Sequence, residues 1–235
     1  IEKYLATRTD ILVAVGNQVK EDLLAAGIGE RNQYKVFFPG LPTPADFDRD
    51  GVRKEIGLDL DAIYCTFVGR LTQIKRPDRL IDLGRLLKLD YSATHLIIAG
   101  AGELLEELTA QSQSESLPIT FLGWRNDIDL ILNASDIAVL CSDNEGIPLT
   151  LIQASQAGLP IVSTNVGSVS DIVPDGVTGL LTEVSANGVI QGVSKLLDDP
   201  DLRARLGESG QMRARELFSS QAMVERHEEL YSQSL

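Results

Sequence analysis

The sequence predicts an α/β fold in which helices cover a parallel sheet. Short apolar runs rich in β-branched residues alternate with helical patterns along most of the chain, which is typical of βαβ units. One of these runs leads through a short polar turn into the next helix. This turn lies at the edge of the sheet where the strands have their carboxyl ends, which is where ligands bind in open α/β sheets. We therefore predict a Rossmann-like, doubly wound parallel sheet with a ligand site at one edge.

The first 45 residues predict a smaller unit made of a strand, a helix and a second strand. Residues 10–15 and 34–38 are typical of buried strands, and residues 18–26 are typical of a helix that ends at Gly27. Three prolines within residues 39–44 then interrupt every regular pattern. We interpret this stretch as an interdomain linker, which divides the chain into units at residues 1–45 and 46–218.

The larger unit contains six predicted strands, and five predicted helices lie between and directly after them. The strands lie at residues 63–68, 95–99, 119–122, 137–141, 161–163 and 180–182. The helices lie at residues 77–88, 103–111, 126–133, 149–157 and 186–197. Two more helices follow, at 201–217 behind Pro200 and at 219–231, and residues 219–235 are assigned to a terminal helix.

Composition and charge disfavour several classes of protein. The hydrophobic content of 43% is ordinary for a globular protein and argues against disorder. The net charge is −13, and residues 1–45 hold five basic and five acidic side chains, so the acidic excess lies downstream. Such a surface disfavours nucleic acid and anionic lipid as partners.

Membrane, secretion and disulfide signals are also missing from the pattern. No apolar run approaches the ~20 residues that cross a bilayer, and no signal-peptide pattern opens the sequence. Cys65 and Cys141 are too few for a disulfide framework and lie inside apolar strands, so we expect buried free thiols. These features fit a reducing, cytoplasmic setting.

The polar turn after the strand at 137–141 carries the main candidate site. Glu145 and Gly146 open a helix, and the N–H groups of Ile147, Leu149 and Thr150 are expected to face an anion. Gly146 allows a close approach of backbone to ligand. The simpler alternative for Glu145 is that a carboxylate near a helix start is favourable by ~0.3–1 kcal/mol without any ligand.

A basic cluster stands out against the acidic background. It consists of Arg70, Lys75, Arg76 and Arg79, directly after the first strand of the larger unit. A solvated helix start is one interpretation. The position at a strand end favours a phosphate site, for which Arg70 and Lys75 are the best candidates.

Two further strand ends carry weaker signals. Gly100 and Gly102 form part of a dinucleotide fingerprint, but Leu105 stands where the third glycine belongs, so a plain turn is the alternative. Trp124 follows another strand and either belongs to the core or borders a nucleotide base together with Arg125.

We predict no metal site. No Asp-x-Asp pattern follows a strand, and His95 and His227 have no ligand-like neighbours in sequence. Asp46 and Asp48 have the right spacing but lie in the linker, with no strand before them.

Residues 142–164 resemble the donor-site signature of family 4 retaining glycosyltransferases of the GT-B fold, in which seven residues separate two Glu residues. Glu145 matches the first Glu, whereas Gln153 stands in place of the second. Gly69 to Leu71 with Lys75 resembles the family's Gly-Arg-Leu…Lys element. Residues 98–102, 121–123 and 176–180 match further landmarks in the same order. The resemblance covers about the last four-fifths of the chain.

The resemblance implies two facing domains, of which one binds the sugar donor and the other the acceptor. Residues 46–218 would be the domain that binds a nucleotide-diphosphate sugar, and residues 1–45 a remnant of the acceptor-side domain, most of which would be missing. Arg70 and Lys75 would neutralise the diphosphate, Glu145 would bind sugar hydroxyls and Gln153 the ribose. Gln153 gives up a charge-assisted bond that Glu would make. Gly102, Trp124 and Arg125 are possible base contacts.

The implied reaction is a sugar transfer with retention, without a metal or other cofactor, and no catalytic residue is assigned. Two alternatives stay open. A sugar-nucleotide epimerase shares the architecture, although the sequence does not display the acid and base groups that it would need. A non-catalytic binding module would explain both the missing domain and the broken Glu pair.

Overall fold

The computed structural model describes residues 1–44 and 47–233. The predicted start of the larger unit at residue 46 therefore lies outside the described residues. The N-terminal segment contains helix α1 (Glu2–Ala6), strand β1 (Leu12–Ala14), helix α2 (Asn17–Ala25) and strand β2 (Tyr34–Val36). β1 and β2 pair in parallel. The predicted strand, helix and strand are present, and α1 is an addition.

A six-stranded parallel sheet lies at the centre of the larger unit. Its strands are β3 (Ile63–Val68), β4 (Thr94–Ala99), β5 (Ile119–Gly123), β6 (Ile137–Leu140), β7 (Ile161–Thr164) and β8 (Gly179–Thr182). Their order across the sheet is β5-β4-β3-β6-β7-β8. The chain therefore builds outward from β3 in one direction and from β6 in the other. The prediction of six parallel strands in a doubly wound sheet is confirmed.

Helices connect and cover these strands. They are α3 (Arg49–Glu55), α4 (Asp78–Asp90), α5 (Leu105–Glu115), α6 (Ile128–Asn133), α7 (Leu149–Gln156), α8 (Val169–Ile172), α9 (Ala186–Asp198), α10 (Pro200–Leu217) and α11 (Ser220–Gln233). Ser185 caps α9 by accepting a hydrogen bond from the Gly188 N–H, and Asp199 caps α10 in the same way. None of the described helices is long and apolar enough to span a membrane.

The core lies where the sheet meets its helices. β3 contributes Cys65 and Phe67, and β6 contributes Ile137 and is followed directly by Cys141. α9 contributes Val189 and Val193. All of these residues are buried. Both cysteines are free, as predicted. Burial raises the pKa of the Cys65 thiol to about 12 and raises the pKa of Cys141 as well. These thiols are therefore packing groups in the folded protein.

The linker and the start of α11 are bonded to each other. The Leu41 N–H donates to the Phe218 carbonyl at 2.8 Å, and the Ser220 N–H donates to the Leu41 carbonyl at 2.9 Å. The ring of His227 in α11 lies 4.9 Å from that of Phe37. The end of the chain thus contacts the N-terminal segment.

A buried ion pair fixes the amino end of the sheet. The guanidinium of Arg53, only 4% exposed, donates to the Asp136 carboxylate at 2.7 Å and to the Ala134 carbonyl at 2.9 Å. The same carboxylate accepts the Tyr64 N–H at 2.7 Å and a hydrogen bond from Arg49. Asp136 thereby joins α3 to β3 and to the start of β6.

Replacing Asp136 by Ala should therefore destabilise the protein by about 3 kcal/mol, because it leaves a buried guanidinium without its counter-charge. Urea unfolding measures the change. The matched control is Glu21→Ala, which breaks the exposed pair between Glu21 and Arg31 and should change stability far less, because solvent screens exposed ion pairs. Similar losses from both variants would contradict the assignment of Asp136 as a structural centre.

Candidate functional site

The candidate site lies where the sheet changes its direction of growth, between the carboxyl ends of β3 and β6. The loop after β3 and the loop after β6 meet there, since the Asp143 N–H donates to the Ile74 carbonyl at 2.9 Å. Such switch points are where open α/β sheets bind ligands. The topology therefore brings the two predicted groups of site residues, 70–79 and 145–153, to one place.

Lys75 and Glu145 form an ion pair at this point. The Lys75 ammonium donates to both carboxylate oxygens of Glu145, at 2.6 and 2.7 Å. Their side chains are 19% and 6% exposed. The Ser142 hydroxyl donates to Glu145 at 2.6 Å, and the Thr164 hydroxyl donates to the Ser142 carbonyl at 2.7 Å. The sequence predicted both residues for the site but did not predict that they contact each other.

Arg70 is placed differently from Lys75. Its side chain is exposed, and it makes no hydrogen bond or ion pair with any residue among 1–44 and 47–233. It lies on the loop directly after β3, at the same edge of the sheet. Arg70 is therefore a cation that is available to an anionic ligand.

The other two basic residues of the cluster bond to other groups of the protein. Arg79 is buried and donates to the Cys141 carbonyl at 2.6 Å and to Asp143 at 2.7 Å. Arg76 pairs with Asp78 and Asp143. Although burial works in the opposite direction, hydrogen bonds from Arg76 and Arg79 hold the pKa of Asp143 below its ordinary value. These two arginines support the loops; Arg79 is neither solvated nor free for phosphate.

The start of α7 offers unpaired donors. α7 begins at Leu149, behind Pro148, and the N–H groups of Ile147, Leu149 and Thr150 donate to none of the residues that the structure describes. A Cβ placed on Gly146 would meet nothing within 4 Å. The space in front of this helix start is therefore open, as an anion site requires.

Gln153 lies one turn into α7 and is partly buried. Its side chain hydrogen-bonds to no residue in the described part of the chain, so nothing there fixes its amide. Its orientation is left to a ligand or to water.

The glycines at the end of β4 have a packing role. A Cβ on Gly100 would lie 1.8 Å from the Gly69 carbonyl oxygen, and one on Gly102 would lie 2.2 Å from that of Leu71. The two loops approach backbone to backbone, which only glycine permits. This contact accounts for both glycines without a ligand.

Trp124 is 75% exposed, which rules out the alternative that it belongs to the core. Arg125, its neighbour, is paired with Asp127 in the same turn, and this hydrogen bond lowers the pKa of Asp127. Both lie after β5, at the carboxyl edge.

The sequence alone leaves the role of the turn at residues 167–171 open, and the structure shows that this turn supports the site. Gly167 has φ +53°, and a Cβ there would lie 1.7 Å from the Glu145 carbonyl oxygen. The Ser168 N–H donates to the Gly146 carbonyl at 3.2 Å. The signal was a glycine after the β7 strand, but its target lies 22 residues earlier, which no local pattern reveals. No cluster of metal-ligating side chains occurs within residues 1–44 and 47–233.

Replacing Gly167 by Ala should cost more stability than replacing Gly176 by Ala. Both have positive φ, so both pay about 1–2 kcal/mol for a left-handed L-residue. Only Gly167 meets a backbone oxygen, whereas Gly176 has nothing within 4 Å, so overpacking should add about 1–3 kcal/mol at Gly167. Urea unfolding of the two variants gives the difference, and equal costs would show that the Glu145 turn is not held there.

Comparisons with known proteins agree with this architecture. The profile described as "Glycosyl transferases group 1" matches residues 48–213, more than half of the chain. The D-inositol 3-phosphate glycosyltransferase of Corynebacterium aurimucosum is 30% identical over 251 residues, which cover 100% of this chain and 59% of that protein. The UDP-Gal:alpha-D-GlcNAc-diphosphoundecaprenol alpha-1,3-galactosyltransferase of Escherichia coli is 29% identical over 209 residues, covering 85% and 54%.

Solved structures show the same fold. HepE from Anabaena, determined in complex with UDP, has a TM-score of 0.88 at 22% identity, covering 98% of this chain and 66% of its own. Sucrose-phosphate synthase from Thermosynechococcus elongatus has a TM-score of 0.85 at 22% identity, covering 99% and 60%. This chain thus spans about half to two-thirds of the length of the relatives that it matches. Its sequence places it in the family of group 1 glycosyl transferases.

Proposed function

We propose that this chain is the donor-binding part of a retaining glycosyltransferase that uses a nucleotide-diphosphate sugar. The observation that carries the proposal is the Lys75–Glu145 pair at the switch point of the sheet, beside the open start of α7. A diphosphate needs cations and N–H donors, and a sugar needs acceptors for its hydroxyls. The site offers all three within one stretch of the sheet edge.

The proposed phosphate contacts are Arg70, Lys75 and the N–H groups of Ile147, Leu149 and Thr150. Breaking a sugar–phosphate bond leaves a nucleoside diphosphate whose growing charge must be stabilised, and fixed cations and helix dipoles can do this. With these groups in place, we propose a transfer that needs neither a metal nor an organic cofactor.

Binding of the donor would separate the Lys75–Glu145 pair. A phosphate would replace the Glu145 carboxylate as the partner of Lys75, and sugar hydroxyls would replace the ammonium as donors to Glu145. The 6% exposure of Glu145 supports this exchange, because a carboxylate with so little access to water needs a new partner once Lys75 leaves. Phosphate recognition and sugar recognition are then coupled.

Gln153 and the residues after β5 are proposed to hold the nucleoside. The unbonded amide of Gln153 can bond ribose hydroxyls, and the exposed ring of Trp124 can border a base. Gly102 would contribute only through the loop that it shapes. UDP, which is bound in the HepE structure, is the first nucleotide to test.

Transfer to an acceptor is proposed to require the upstream part of a longer enzyme. Residues 1–45 are proposed to be a remnant of the acceptor-side domain and residues 46–218 the donor domain. Of the predicted terminal helix at 219–235, the structure describes α11 (Ser220–Gln233), and residues 234–235 lie outside the described residues. Holding donor and acceptor together lowers a barrier by ~7–11 kcal/mol, and this chain supplies one wall of such a cleft. Analysis of products from UDP-glucose would separate transfer or hydrolysis from epimerisation.

Arg70→Ala and Lys75→Ala should each weaken UDP binding by about tenfold to a hundredfold, because charge-assisted contacts contribute ~1.5–3 kcal/mol. Isothermal calorimetry with UDP, GDP and ADP measures the affinities. Arg76→Ala is the matched control, since Asp78 and Asp143 already neutralise Arg76. Wild-type affinity in both site variants would place the phosphate site elsewhere.

Gln153→Glu should tighten UDP binding by about fivefold to tenfold, because a carboxylate accepts ribose hydroxyls about twice as strongly as a neutral amide oxygen. The same calorimetric titration reads the change. UMP offers the same ribose without the second phosphate, so an equal gain with UMP would locate the effect at the ribose. An unchanged affinity would remove Gln153 from the site and leave Glu145, Arg70 and Lys75 in place.

A further inference from the structure

Asp171 caps a helix that belongs to the other end of the chain. Its carboxylate accepts two hydrogen bonds from Asn17, one from the backbone N–H and one from the side-chain amide, both at 2.7 Å. Asn17 is the first residue of α2, and the preceding Gly16 has no side chain with which to cap it. The cap that α2 lacks locally is supplied by a residue 154 positions away.

The surfaces around this cap fit tightly. A Cβ on Gly16 would lie 2.5 Å from the Ser168 hydroxyl oxygen and 2.9 Å from the Ser168 Cβ. The φ of Gly16 is −165°, an extended conformation that any residue adopts, so glycine is needed here for space alone. Ser168 is 1% exposed. The N-terminal segment and the turn at 167–171 are thus in direct contact.

The opposite side of the same turn touches the candidate donor site. Gly167 lies against the Glu145 carbonyl, and the Ser168 N–H donates to the Gly146 carbonyl at 3.2 Å. From behind, Arg213 in α10 donates to the Asp171 carbonyl at 3.0 Å. The turn therefore lies between α2 and the loop that carries Glu145, with contacts to both.

We propose that Asp171 is a positioning residue for sugar recognition. By capping α2 it holds the turn at 167–171 against Glu145 and Gly146, so the carboxylate of Glu145 is correctly placed while the N-terminal segment contacts the turn. By reciprocity, a ligand that needs this placement of Glu145 strengthens the contact with α2. The inference rests on the proposed function, because it takes Glu145 as the sugar-binding group.

The test compares UDP with UDP-glucose, using calorimetry on the whole chain. Asp171→Ala should lower the affinity for UDP-glucose about fivefold, the size of a lost helix cap, and should leave the affinity for UDP within about twofold. Asp171→Asn keeps an acceptor oxygen and should fall between. Asp175→Ala is the matched control, because this carboxylate accepts the Leu181 N–H at 2.9 Å within the larger unit and should change neither affinity.

A second pair of variants tests the same contact by changing its steric fit instead of its hydrogen bonds. Gly16→Ala should reduce UDP-glucose affinity as Asp171→Ala does, and adding Ser168→Gly should restore most of it, because the obstructing side chain is then gone. Gly16→Ala and Asp171→Ala should each also speed amide hydrogen exchange at the start of α2.

The outcomes separate the two proposals. If the wild-type chain binds neither UDP nor UDP-glucose, the proposed function is wrong and the role of Asp171 falls with it. If it binds both, the donor site stands, and an equal loss of both ligands or no loss in Asp171→Ala overturns the positioning role alone. If Gly16→Ala keeps the wild-type ratio of the affinities for UDP and UDP-glucose, the positioning role is overturned as well.

Discussion

Close approach of backbone to backbone at the carboxyl edge of the sheet is the constraint on which the site depends. The loop after β4 lies against the carbonyls of Gly69 and Leu71, and the loop after β7 lies against that of Glu145. These contacts leave no room for side chains. The loops that carry the candidate ligand contacts are therefore held by main chain and need no ligand to shape them, which is the condition for preorganised electrostatics.

Some charged residues at this edge of the sheet hold the loops in place, and others face the candidate ligand site. Arg79 and Asp143 are bonded to each other and to neighbouring loops, and Arg76 joins them. Among the described residues, the side chain of Lys75 bonds to Glu145, that of Glu145 bonds to Lys75 and Ser142, and Arg70 is exposed. The sequence shows four similar basic residues, but burial and partners give them different roles.

Sequence patterns predicted the central sheet well because the inner strands β3, β4, β6 and β7 are mostly apolar and almost wholly buried, although the edge strand β5 is only partly buried. They missed α3, which contains a glycine and mostly charged residues, and α8, which is a single turn. The local cluster at 70–79 was visible, but the buried state of Arg79 was not, because its partners at Cys141 and Val184 are distant in sequence. The Asn17–Asp171 contact was not predicted for the same reason, because the two residues lie 154 positions apart in sequence.

The Arg53–Asp136 pair has a consequence for how such a domain can change over evolutionary time. Asp136 immediately precedes β6, so the pair lies at the amino ends of the strands, whereas Lys75 and Glu145 lie beyond their carboxyl ends. A mutation that alters which ligand is accepted need not touch the residues that hold α3 to the sheet. The loops at one edge can therefore diversify while the opposite edge stays unchanged, so that one scaffold can acquire new specificities without first losing its fold.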